Sequence, residues 1–125
     1  MYANIAEGLD VTSAEEKLLG AMGLAKRAGK LITGAELCEE TIRAGKSQIA
    51  FLCSDMSENS YKKLHAALRN SDSSYINLSA TKEELAKRFG KKSYVVACVI
   101  TDKGFAEIVY KALGITEGKI LHESK

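Results

Sequence analysis

The chain of 125 residues has no proline, only three phenylalanines and five tyrosines, two histidines and three cysteines. Each scarcity excludes a class of function. With few aromatics, and neither an RNP-type aromatic run nor a Gly-x-x-Gly clamp, a module that stacks single-stranded bases is disfavoured. His65 and His122 stand alone, and Cys38, Cys53 and Cys98 are not spaced as a zinc knuckle or redox pair requires. All three cysteines fall inside apolar segments and read as small core residues. Only Cys38 lies near a helix start that could activate a thiol. The longest uncharged apolar run, Tyr94 to Thr101, is far too short to cross a bilayer. The first twenty residues lack a basic start followed by an apolar stretch, so the expectation is a cytoplasmic protein with no membrane partner.

Without proline, glycine does nearly all the punctuation, and every expected helix but the third stops at one. A capping box Ser13-x-x-Glu16 is expected to open the first helix, with Leu18, Leu19, Met22 and Ala25 inward and Gly29 closing it. Leu31 to Thr33 reads as a short strand. A second helix from about Ala35 turns Ala35, Cys38 and Ile42 inward and ends at Gly45. Gln48 to Cys53 and Tyr94 to Ile100 are β-branched apolar runs, expected as central strands covered on both faces. Between them Ser57 caps a third helix with Tyr61, Leu64 and Leu68 inward, and Ser74 to Leu78 forms another strand. The box Thr81-x-x-Glu84 opens a short helix ending at Gly90. A last helix, Phe105 to Leu113, shows Phe105, Ile108, Val109 and Ala112.

Five helices alternating with four strands predict an α/β fold, a three-layer α-β-α sandwich around a small mixed sheet, with right-handed crossovers where strands are parallel. A composition of 46% hydrophobic and 27% charged residues is that of an ordinary globular domain. The expected organisation is an acidic, flexible arm over residues 1–12, one domain over 13–114, and a tail over 115–125. The tail offers only Ile120 and Leu121 as anchors against the entropy of ordering it.

The net charge of +2 conceals an asymmetry, because residues 1–16 carry four acids and no base, leaving +6 on the rest. Lys26, Arg27, Lys30, Arg43, Lys46, Lys87, Arg88, Lys91 and Lys92 gather around three helix ends. Such cations either offset helix dipoles or also meet phosphates.

Two motifs suggest catalysis and fail. Arg-Ala-Gly-Lys occurs at Arg27 to Lys30 and again at Arg43 to Lys46, where Ser47 follows and imitates a phosphate-binding loop. Glu40 occupies the position where that loop needs glycine, and the segment leaves a helix instead of entering one, so both copies read as helix stops. Asp55 and Asp102 each follow a central strand, and two carboxylates at neighbouring strand ends would suit magnesium. No third acid, lysine base or histidine completes a catalytic set, and each Asp can cap or lead the next helix. The expectation is a protein without enzymatic activity or cofactor.

What remains is a helix N-terminus at Gly34, expected beside Lys30 and joined by the loop from Gly90 to Tyr94. Unpaired N–H groups next to cations suit the phosphates and base edges of folded RNA. Here the chain resembles the ribosomal protein L7Ae/L30e family of kink-turn RNA-binding proteins, and looks closest to its compact bacterial members of the YlxQ and YbxF type. The resemblance runs from about Lys17 to Leu113, through LLGAMGLAKRAGKLITGAEL, the Ile-Ala-Phe-Leu-Cys-Ser-Asp strand, Ser57 to Asn59, and VVACVITDKGFA.

That resemblance implies the same sandwich and non-catalytic binding of structured RNA, ribosomal or kink-turn-like, by a chain that is monomeric when free and has ribosome-associated proteins among its partners. It implies contacts from Lys30, Thr33, Gly34, Ala35 and Glu36 at the turn before the second helix. Lys91, Lys92 and Ser93 would add the loop before the last strand, with Arg43 or Lys46 lesser contributors. Kink-turn binders typically follow Gly-Ala with Asn-Glu and, three residues after that Glu, a Lys. Here those positions hold Glu36, Leu37 and Glu40. Leu37 cannot accept from a guanine edge, and Glu40 repels a phosphate that Lys would attract. The alternative function is a protein-interaction module on the same fold, with Glu36, Glu39 and Glu40 facing a basic partner.

Overall fold

The computed structural model describes residues 11–114. Its elements run α1 (Val11–Arg27), β1 (Leu31–Thr33), α2 (Ala35–Arg43), β2 (Ile49–Leu52), α3 (Glu58–Arg69), β3 (Ser74–Asn77), α4 (Lys82–Arg88), β4 (Ala97–Ile100) and α5 (Lys103–Ala112). The strands form one mixed sheet in the order β1-β4-β2-β3. β4 pairs antiparallel with both β1 and β2, whereas β2 and β3 are parallel.

The period-two alternation of the strands divides the core. Ile49, Phe51, Ile76, Cys98 and Ile100 point to one face, against α1, α4 and α5. Ala50, Leu52, Ala97 and Val99 point to the other, against α2 and α3. All four residues of β2 and of β4 are buried, which is why these two strands carry no charge. The result is the expected three-layer sandwich, with β2 and β4 at its centre.

Several boundaries differ from the sequence reading. α1 begins at Val11, so Ser13 lies within the helix instead of preceding it. Glu16 pairs with Arg88 at 3.2 Å. Its neighbour Glu15 is buried and accepts from the backbone N–H groups of Ser79 and Ala80 and from the Ser79 hydroxyl, at 2.7 to 3.0 Å. Both acids therefore serve tertiary contacts. The second box forms as expected, with Thr81 and Glu84 each accepting the other's backbone N–H.

Only Ala97–Ile100 of the run from Tyr94 enters the sheet. Val95 is buried but Tyr94 is exposed beneath the Lys82 ammonium, which lies 4.9 Å from its ring centroid. Tyr61 is half-exposed and stacks on His65, which packs edge-on against Tyr75. In α5 the inward stripe is Ala106, Val109 and Tyr110, which leaves Ile108 outside. The expected arm, apart from Val11 and Thr12, and the expected tail lie outside the described residues.

Candidate functional site

Strand direction brings two distant loops together at one edge of the sheet. β1 ends where β4 begins, with Thr33 opposite Cys98, and the Gly34 N–H donates to the Ala97 carbonyl at 3.0 Å. On the other side of β4, Cys53 N–H donates to Val96 at 3.0 Å. The turn into α2 is thereby held against the start of β4, the strand that the Lys91 to Val96 segment leads into.

Gly34 makes that turn with φ 107° and ψ 140°, a conformation that a Cβ disfavours, and no side chain caps the helix. The first-turn N–H groups of α2 therefore keep their hydrogen-bonding capacity, at the positive end of the helix dipole. Thr33, Gly34 and Ala35 are partly exposed, and Glu36 is exposed. Lys91, Lys92 and Ser93 are all exposed across the junction. They follow a tight stop in which Gly90 is left-handed and Lys91 N–H returns to the Ala86 carbonyl at 2.8 Å.

The three positions that depart from the kink-turn pattern are on the surface. Leu37 is 57% exposed, and Glu36 and Glu40 are exposed beside it. Sequence reasoning missed Lys63, which with Ala35, Glu36, Glu39, Ser60 and Leu64 lines a groove of about 170 Å³ between α2 and α3. Its signal was weak, because a lysine in the first half of a capped helix reads as solvated surface. Lys82 was missed for the same reason.

The structure does not place Lys30 beside Gly34. Lys30 lies at the other end of β1, where its carbonyl accepts from Thr101 N–H at 3.2 Å. A three-residue strand separates the two residues, which carries the backbone roughly 10 to 13 Å. The expected pair of carboxylates fails in the same way. β2 and β4 are antiparallel, so Asp55 and Asp102 leave opposite edges of the sheet. Asp55 accepts Lys82 N–H at 2.8 Å, and that bond holds its carboxyl below the usual range. Asp102 caps α5 through Phe105 N–H at 3.0 Å. No group of three or more metal-ligating side chains occurs among the described residues.

The cysteines are buried. Burial pushes the Cys38 thiol up to about 12 and that of Cys53 to about 11, and raises Cys98 as well. None has the depressed value of a nucleophile. Both Arg-Ala-Gly-Lys segments are helix stops. Lys30 and Lys46 donate back to the carbonyls of Ala25 and Thr41 at 2.8 and 3.1 Å, across left-handed Gly29 and Gly45.

The model of the "Ribosomal protein L7Ae/L30e/S12e/Gadd45 family" matches residues 16–110. A protein named RNA-binding protein YlxQ from Enterococcus faecium is 38% identical over 96 residues, covering 74% of this chain and 86% of its own. A protein of the same name from Bacillus subtilis (strain 168) is 34% identical over 89 residues, covering 68% and 83%. A solved protein of unknown function from Bacillus halodurans superimposes with a TM-score of 0.69 at 26% identity, over 78% of this chain and 97% of that one. The Giardia lamblia 15.5kD RNA binding protein superimposes with a TM-score of 0.70 over 92% and 97%, and at 15% identity it shows the shared fold alone.

Proposed function

The chain belongs to the ribosomal protein L7Ae/L30e/S12e/Gadd45 family, and on that premise we propose that it is a non-catalytic cytoplasmic protein that binds structured RNA. The observation that carries the reading is the bond from Gly34 to Ala97, which joins an uncapped helix start to the strand that follows the cationic 91–93 segment. Backbone N–H groups from Ala35 onward offer fixed donors to a phosphate or base edge. The Lys91 and Lys92 ammonium groups supply charge, and the Thr33 and Ser93 hydroxyls supply further hydrogen bonds. The names of the two YlxQ relatives support the same function.

Because Leu37 and Glu40 replace an acceptor and a cation of the kink-turn pattern, the affinity rests on backbone donors and the 91–93 loop more than on side-chain readout of a base pair. The decisive experiment titrates a fluorescent kink-turn RNA and a straight duplex of equal length across salt concentrations. Both bind, and affinity falls with salt. Replacing Lys91 and Lys92 with Glu lowers the salt slope by about two, one unit per lost phosphate contact. Absence of binding to either RNA would refute the reading. It would transfer the edge to a protein partner, for which Glu36, exposed Leu37 and Glu40 would be the contact residues.

A further inference from the structure

The opposite edge of the sheet collects cations that the Gly34 site cannot use. We propose that this edge is a second RNA surface, taking the phosphate backbone of a helical segment other than the one held at the Gly34 loop. The inference rests on the RNA reading above. Its origin is the duplicated Arg-Ala-Gly-Lys stop. α1 and α2 lie on opposite faces of the sheet but end at the same edge, so the two copies deliver Arg27 and Lys30 from one layer and Arg43 and Lys46 from the other.

The backbone fixes their spacing. Lys30 is tied to Thr101 at the end of β4, and Gln48 N–H donates to Ile100 at 2.9 Å. Lys30 therefore stands two strand spacings from Gln48, about 10 Å, with Lys46 two residues ahead of Gln48.

Dipole compensation alone does not account for this set. Lys30 and Lys46 lie past the last helical residue, beyond their left-handed glycines, whereas the cation within the last turn of α2, Arg43, is already paired with Glu39 at 3.0 Å. Lys26, Arg27, Lys30 and Lys46 are exposed and have no ion-pair partner among the described residues. The acids within a turn of this edge are Glu39, Glu40, Asp72 and Asp102; Glu39 is taken up by Arg43 and the Asp102 carboxylate is turned to the α5 N-terminus, so these four cations face fewer uncommitted acids. Five large apolar side chains are exposed among the described residues, and only Leu24 lies within a turn of this edge. Such a surface, charged and nearly without apolar anchors, suits a polyanion better than a protein.

The test compares a kink-turn RNA with short stems and the same RNA with both stems extended to about 20 base pairs, long enough as a straight rod to reach past the far edge of the domain. Wild-type protein and the double variant Lys30→Gln/Lys46→Gln are titrated over a range of salt, with thermal melts to confirm folding. The substitutions remove charge without adding an acid near a helix end. The expected result is tighter wild-type binding to the extended RNA, lost about tenfold in the variant with a salt slope smaller by about two, while short-stem binding is unchanged. Equal binding of the extended RNA by both proteins would overturn the second surface, as would a loss of equal size on the short RNA, which would indicate one continuous site. If wild-type protein binds neither RNA, the RNA reading itself has failed, a result distinct from either of these.

Discussion

Gly34 and Ala97, sixty-three positions apart in sequence, share a 3.0 Å backbone hydrogen bond that fixes the α2 N-terminus against the first residue of β4. The register of β1 on β4 makes this contact unavoidable, since Thr33 opposite Cys98 leaves Gly34 directly beyond the last pair.

Replacing Gly34 with Ala tests that junction. Apart from its chain neighbours, no residue lies within 4 Å of the added Cβ, so the penalty is one of backbone conformation at φ +107°. The expected loss of stability is about 1 to 3 kcal/mol. If the turn relaxes instead, the bond to Ala97 lengthens and RNA affinity falls with little change in melting temperature. Chemical denaturation and RNA titration of the same preparation separate the two outcomes.

Glu15 holds the β3–α4 connection to α1. Its carboxylate accepts three hydrogen bonds from Ser79 and Ala80. Truncation to Ala leaves partly buried donors unmatched and is expected to cost about 2 to 3 kcal/mol in denaturant unfolding. Glu15→Gln, which keeps one good acceptor, loses less. Equal stability of wild type and the Ala variant would show that water replaces the carboxylate without penalty.

His65 predicts a pH dependence of stability. Burial, and to a lesser degree the charge of Arg69, holds its imidazole below the ordinary 6.5. The unfolded chain therefore binds the proton at a higher pH than the folded chain. Stability from this group is complete above about pH 6.5 and declines as pH falls toward the lowered folded value. His65→Phe, which preserves the aromatic contacts with Tyr61 and Tyr75, flattens that decline. Denaturant midpoints between about pH 5 and 7.5 check it, and identical slopes for the two proteins would refute the assignment.

Local chemistry made much of the fold legible. Ser57 and the Thr81/Glu84 box cap the helices they precede, and the runs around Ile49–Leu52 and Ala97–Ile100 are the buried central strands. Strand direction was not legible, and the errors about the site follow from that. Lys30 is four residues from Gly34 and reads as its neighbour, yet a strand between them carries it to the other edge. Asp55 and Asp102 follow similar strand sequences, but antiparallel pairing sends them apart. Glu16 carried a local capping signal, but α1 already begins at Val11, and the Glu16 carboxylate pairs with Arg88.

The sharpest test of how RNA sits on the Gly34 edge restores the kink-turn pattern. Glu36, Leu37 and Glu40 are exposed on α2, so changing them leaves the core intact. Glu36→Asn/Leu37→Glu/Glu40→Lys supplies an amide, a base-edge acceptor and a phosphate-binding cation along the first turns of the helix. Each well-placed base contact contributes about 1 to 3 kcal/mol of discrimination, so the kink-turn to duplex affinity ratio is expected to rise at least tenfold. Binding to plain duplex changes far less, because the net gain of two positive charges contributes only general phosphate attraction. Fluorescence titrations of the two RNAs against both proteins give the ratio. A ratio that stays constant would mean that α2 does not face the RNA at all, and the 91–93 loop would then bind alone.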